Sequence, residues 1–170
     1  MCSLKLPETL FGADAAEAVY AAVTDVAERS FFCMIDLCES ERFGDLALAH
    51  GGWLSSTVHF DDGKCSGGVT CRLPGSLAAR LFDAFSGRDP GEPQPEEGEV
   101  LDLVGEFANM ICGSWLTRAA NQRTFSLSPP AVVPVETASI TADLSALGLL
   151  VLIDDLPCAV DISITAIPAS

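Results

Sequence analysis

Four residues at helical spacing are the part of this sequence best suited to chemistry: Asp102, Glu106, Asn109 and Gly113. With Asp102 set at 0° and each residue advancing about 100°, Glu106 falls at about 40°, Asn109 at about 340° and Gly113 at about 20°. Two acids, a carboxamide and a glycine therefore share one narrow stripe. Leu103, Val104, Phe107, Met110, Ile111 and Trp115 occupy the arc from roughly 80° to 220°, the side expected to face a core. Asn competes for backbone hydrogen bonds, and a glycine inside a helix costs about 1 kcal/mol relative to alanine, so the stripe is not what helix stability alone selects. The plainer reading is a solvated face with an incidental Asn, because Glu-x-x-Asn by itself is a weak motif.

A second constellation is metal binding by Cys65, Cys71 and the two histidines, His50 and His59. Five residues separate the two cysteines, which matches no common zinc pattern. The seven cysteines include no Cys-x-x-Cys pair and sit mostly in apolar company, as in Phe31-Phe32-Cys33-Met34-Ile35. Buried reduced thiols acting as small hydrophobes are the expectation, and no metal site is assigned.

The elements that must position the stripe follow from periodicity. Leu10 to Arg29 is alanine-rich, with Ala15, Val19, Ala22, Val23 and Val26 at three- and four-residue steps, which predicts an amphipathic helix. Trp53 to Phe60 and Gly67 to Leu73 read as antiparallel strands around Asp61-Asp62-Gly63-Lys64, a hairpin signal. Ser76 to Ser86 predicts a short helix ended by Gly87. Gly87 to Glu99 holds no large apolar residue and reads as an exposed acidic connector. The stripe then lies on a long helix from Val100 to about Ala120, with acids at its start and Arg118 near its end, as the helix dipole favours. Strands are predicted at Thr124 to Ser128, ended by Pro129-Pro130, and at Ala138 to Asp143, Ala146 to Ile153 and Ala159 to Ile167, the last alternating Val160, Ile162 and Ile164 with Asp161, Ser163 and Thr165. The fold class expected is α+β, two long helices packed on a mostly antiparallel sheet, in a single domain over residues 1–170.

Composition narrows the partners. The chain has 170 residues, 49% hydrophobic, with 9 basic and 24 acidic residues and a net charge of −15. Such a charge excludes nucleic acid and anionic membrane surfaces as generic partners. The longest clean apolar stretch, Ala146 to Ile153, spans 8 residues where a membrane helix needs about 20. Met1 to Glu8 carries no apolar segment followed by a small-residue cleavage site, so a cytoplasmic location is expected.

Asp102-x-x-x-Glu106-x-x-Asn109-x-x-x-Gly113, followed by Ser126-Leu127-Ser128-Pro129-Pro130-Ala131-Val132-Val133, resembles the CheC/CheX family of chemotaxis phosphatases. That family's signature is Asp or Ser, three residues, Glu, two residues, Asn, with a proline a little over twenty residues later. Here 20 residues separate Asn109 from Pro130, one or two short of that interval, as a shorter helix-to-strand turn would give. The resemblance covers nearly the whole chain and implies the CheC-like fold.

It also implies a substrate, a phosphorylated receiver domain of the CheY type, and a reaction, hydrolysis of its aspartyl phosphate. The receiver brings the acyl phosphate, Mg²⁺ and a Lys, so no cofactor is expected in this chain. The catalytic assignments carried over are Asn109, which would place the water, and Glu106, which would pair with the receiver's Lys. Asp102, Gly105, Gly113 and Pro130 are assigned to partner binding, the glycines letting the partner approach closely. CheC-type members carry a second Glu-x-x-Asn on the first helix, which is absent here, so a single site and the CheX subtype are implied. Those members are homodimers joined through their sheets, and the C-terminal strands are expected to supply the free edge. The alternative is a non-catalytic interaction module of the same fold, as in the middle domain of flagellar switch proteins.

Overall fold

The computed structural model describes residues 14–89, 91–141, 144–145 and 147–166. In chain order the elements are α1 (Ala15–Ser30), β1 (Ile35–Leu37), α2 (Ser40–Ala49), β2 (Leu54–Asp61), β3 (Cys65–Leu73), α3 (Gly75–Ser86), α4 (Glu97–Ala119), β4 (Ser126–Leu127), β5 (Ala131–Pro134), a 3₁₀ turn (Thr137–Ser139), β6 (Leu149–Ile153) and β7 (Leu156–Ala166). The architecture is α+β. Seven strands form one sheet in the order β1-β6-β7-β3-β2-β4, every pairing is antiparallel, and β5 continues beside β2.

Strand alternation decides which side receives the helices. Val58 and Phe60 of β2, Val69, Cys71 and Leu73 of β3, and Val160 and Ile162 of β7 all enter the main core beneath α1, α3 and α4. The opposite face carries a smaller cluster in which Phe43 and Ala47 of α2 pack on Trp53, Ile140 and Ala159. α4 is the central piece of the main layer. Its Trp115 ring lies 5.7 Å from Phe60, and its Phe107 meets Phe31 edge-on at 5.3 Å. The indole Nε1 of Trp115 donates to the Ala15 carbonyl at 3.3 Å, tying α4 to the start of α1. Each such fully buried large side chain contributes about 1.5–3 kcal/mol.

The hairpin of β2 and β3 forms as its Asp-Gly step predicts. Gly63 sits at φ +82, and Asp62 Oδ1 accepts the N–H groups of Lys64 (2.9 Å) and Cys65 (2.8 Å). Several other expectations change. The first helix begins at Ala15, residues 10–13 lying outside the described set. β1 and α2 arise where no element was expected, because a three-residue strand shows no period and α2 buries only Phe43 and Ala47. Residues Thr137–Ser139 form a 3₁₀ turn instead of a strand, since Ile140 is drawn into the cluster around Phe43 and Trp53; Ala142 and Asp143 lie outside the described residues.

β6 starts at Leu149 rather than Ala146, a residue outside the described set. β7 starts earlier than predicted, at Leu156, because Asp154 and Asp155 (φ +47 and +66) make a two-residue turn matched to the twist of the flanking strands; Ile167 lies outside the described residues. β7 is also central, between β6 and β3, so the C-terminal strands are not the sheet's edge; among the described residues the edges are β1 on one side and β4 with β5 on the other.

Candidate functional site

α4 starts three residues before the predicted Val100, which shortens the acidic connector to residues 87–96. Its acids act as caps: the Glu96 N–H donates to Glu99 Oε2 at 2.9 Å, and Glu97 and Glu99 lie in the first turn, where carboxylates complement the helix dipole. The buried surface of α4 wraps further round than the predicted arc, because Gly105, Ala108, Cys112 and Leu116 are buried as well as Leu103, Val104, Phe107, Ile111 and Trp115. Packing against α1 and α3 on one side and against β2, β3 and β5 on the other leaves the predicted stripe as the open face.

On that stripe Asp102 and Glu106 are exposed, while Asn109 and Gly113 are half-buried. Asn109 Nδ2 points at Glu106 Oε2 from 3.5 Å, the long limit of a hydrogen bond. The pair thus places a charge and a neutral carboxamide side by side on a rigid, well-buried helix, the arrangement that holds polar groups in fixed geometry.

Gly105 and Pro130 meet within the chain itself. A Cβ on Gly105 would stand 2.9 Å from Pro130 Cγ and 3.5 Å from Val132 Cγ2, so the missing side chain lets the sheet edge close against the helix. The other side of Pro130 remains exposed beside the stripe. A bulge puts it there. Leu127 faces Phe60 and Ala131 faces Thr57, so three residues, 128 to 130, oppose two on β2. Ser128 closes the gap, its N–H donating to the His59 carbonyl at 2.8 Å and its Oγ accepting the His59 N–H at 2.9 Å. The Pro129-Pro130 step, read as a strand end, is therefore an interruption, with β5 resuming beyond it.

Past Gly113 the stripe runs into a cleft of about 290 Å³ between α4 and β4, lined by Leu116, Thr117, Arg123, Phe125 and Leu127 among others. Sequence periodicity does not reveal it, because Leu127 comes from β4 and Phe125 from the loop just before it. A larger hollow of about 460 Å³ beside His59 and Ser163 contains none of the stripe residues. Asp154 is a further polar centre missed from sequence. Its Oδ1 accepts the Met34 N–H at 2.8 Å and its Oδ2 accepts Arg80 Nη2 at 2.8 Å, joining the β6–β7 turn to β1 and α3.

Among the described residues no three His, Cys, Asp or Glu side chains converge as a metal site. The Cys65, Cys71, His50 and His59 reading fails on geometry. Both thiols are fully buried in the core, whereas His59 is exposed on the neighbouring strand and His50 lies 3.3 Å from Ser76 Oγ. Cys33, Cys65, Cys71, Cys112 and Cys158 are buried free thiols. Burial pushes Cys33 up to about 11 and Cys112 and Cys158 to about 12.

A long helix packed on an antiparallel sheet in this arrangement is the α+β fold of the CheC-like chemotaxis proteins. Solved structures share it. CheX from Vibrio vulnificus is 18% identical with a TM-score of 0.68, covering 90% of this chain and 97% of that one. CheX of Borrelia burgdorferi, solved in complex with CheY, BeF₃ and Mg²⁺, is 18% identical with a TM-score of 0.60, covering 89% and 97%. FliY of Thermotoga maritima is 16% identical with a TM-score of 0.55, covering 96% and 92%. None of the curated proteins matches the chain by sequence. Residues 54–153, from the start of β2 to the end of β6, match the family described as chemotaxis phosphatase CheX, and the chain belongs to that family. No helix among the described residues is long and apolar enough to cross a membrane.

Proposed function

We propose that this chain hydrolyses the aspartyl phosphate of a phosphorylated CheY-like receiver domain by laying the open stripe of α4 into the receiver's active site. The observation that carries the reading is the Glu106–Asn109 pair on the open stripe of α4, an exposed carboxylate and a half-buried carboxamide 3.5 Å apart. Asn109 places a water in line with the phosphorus. The water attacks, the P–O bond to the receiver's aspartate breaks, and free carboxylate and inorganic phosphate leave. A carboxamide does this without a tuned pKa, since positioning supplies the advantage and the receiver's own Mg²⁺ and Lys neutralise the developing charge. Glu106 pairs with that Lys and sets the register of the helix, and Asp102 supports docking one turn away. Gly113 admits the partner closely, while Gly105 and Pro130 fix the rim of the surface.

The active form is a homodimer located in the cytoplasm. Exposed Phe32 (78%), Met34 (74%) and Leu37 (63%) along the β1 edge support joining through that side of the sheet. Sedimentation of the purified chain tests the dimer, a monomer at all concentrations being the contrary result.

The enzymatic reading is tested by following phosphate loss from the source organism's CheY-type receiver, phosphorylated with acetyl phosphate. Wild type should accelerate the loss, and Asn109→Ala should lose at least about tenfold, or about 1.4 kcal/mol of barrier. Equal rates with the variant, or binding without any acceleration, would replace this reading with that of an interaction module.

A further inference from the structure

Among the described residues nothing requires the glycine at position 113. A Cβ there would meet nothing within 4 Å, although alanine would favour the helix by about 1 kcal/mol. The glycine opens the 290 Å³ cleft, which lies on the face that carries the catalytic pair. At about 100° per residue Thr117 falls at about 60°, so the stripe leads into the cleft. Gly113 stands about 6 Å along the helix axis from Asn109, and Thr117 about 12 Å.

The cleft differs from the stripe in chemistry. Its lining contains no carboxylate, and none occurs in the 29 residues from Phe107 through Val135, which hold two arginines in a chain of 24 acids. The Arg123 guanidinium sits 5.3 Å above the Phe125 ring and is held by Asp62, so the floor is aromatic and close to neutral. Leu127, 39% exposed, stands at the rim.

We infer that this cleft is the specificity pocket for the phosphorylated receiver and takes an apolar side chain from the receiver surface beside its phosphoaspartate. The inference rests on the reading that Glu106 and Asn109 engage that receiver. Continuity through Gly113 places the two contacts on one docking surface. Charge selects the same occupant. A partner bearing a phosphoaspartate is negative around its site; its Lys meets Glu106, while the five acids from Asp89 to Glu99 repel the rest of it, so the contact extends from the stripe toward the acid-free end of α4.

The test uses Thr117→Glu and Leu127→Glu, with Leu48→Glu on α2 as a control at a site exposed on the other face. All variants are first matched to wild type by thermal melting. With phosphorylated receiver, each cleft variant should raise KM at least about tenfold while kcat stays within about twofold, and the control should change neither. Binding of receiver loaded with beryllium fluoride and Mg²⁺ should weaken in parallel for the cleft variants and hold for Asn109→Ala. If Asn109→Ala loses kcat but both cleft variants keep wild-type KM and binding, the pocket is overturned and the catalytic reading stands. If Asn109→Ala turns over like wild type while the cleft variants still bind about tenfold more weakly, the catalytic role fails and the pocket stands. Wild-type binding by both cleft variants overturns it in either case.

Discussion

A Cβ on Gly105 would lie 2.9 Å from Cγ and 3.2 Å from Cβ of Pro130, whereas one on Gly113, two turns along the same helix, would touch none of the described residues within 4 Å. Two glycines of one signature thus have opposite physical meanings. Gly105→Ala should lower stability by about 1–3 kcal/mol despite alanine's better helix propensity, because a proline ring on a bulged edge must move. Urea unfolding measures this, and Pro130→Gly in the same chain should recover part of the loss in a double-mutant cycle. A Gly105→Ala variant as stable as wild type would show that the edge is not held against α4.

Gly113→Ala should do the reverse and raise the urea midpoint, by about 0.5–1 kcal/mol of added stability. A drop in stability there would mean that the free chain already fills the cleft.

Acid should unfold the protein through two carboxylates. Burial opposes the charge of Asp62, but the N–H groups of Lys64 and Cys65 and the Arg123 guanidinium outweigh it and hold the group below its ordinary value. Asp154 follows the same logic, burial being overcome by the Met34 N–H, Arg80 and Cys33. The unfolded carboxyls take up protons first, at about pH 4, so the stability they provide is complete at neutral pH. It drains away as pH falls below about 5, until the folded groups protonate too. Stability measured by urea melts from pH 7 to pH 3 should therefore fall less steeply in Asp154→Asn and Asp62→Asn than in wild type. An unchanged acid slope in both would contradict the assignment.

The buried thiols should be chemically silent. With Cys33 held near 11 and Cys112 and Cys158 near 12 by burial, little thiolate exists at pH 8. A variant with Cys2 and Cys38 changed to Ser should give no fast labelling by a disulfide reagent until denaturant is added. Rapid labelling of the folded variant would mean that the core opens locally.

Salt should not weaken the encounter with the receiver. The acids from Asp89 to Glu106 meet a negative partner, and the screening length shrinks from about 30 Å at 0.01 M to about 8 Å at 0.15 M ionic strength. Receiver dephosphorylation below saturation should hold steady or rise over that range, and a steep fall would show that attractive charges dominate docking.

Much of the helical layer is legible in the amino-acid sequence. The spacing of Val19, Ala22, Val23 and Val26 and of Leu77 and Leu81 marks their buried faces, since a 3.6-residue period is written locally. The Asp62-Gly63 hairpin and the alternation from Val160 to Ile164 are equally local. What escapes is written elsewhere in the chain. β1 and β4 are two or three residues long and owe their pairing to β6 and β2, Ile140 leaves a strand-like segment to fill a pocket around Phe43 and Trp53, and the Pro129-Pro130 step interrupts a ladder it was expected to end.

The stripe of Asp102, Glu106, Asn109 and Gly113 was determined by sequence alone, because helical geometry converts spacing directly into a shared face. Which side of that face the chain itself covers was decided only by tertiary structure. Gly105 and Gly113 look alike in the sequence, and the bulge at 128–130 sets Pro130 over one while leaving the other open above Thr117 and Leu127. Spacing along one helix carries no information about what a distant strand brings against it, so the cleft exists only once β4 is paired with β2.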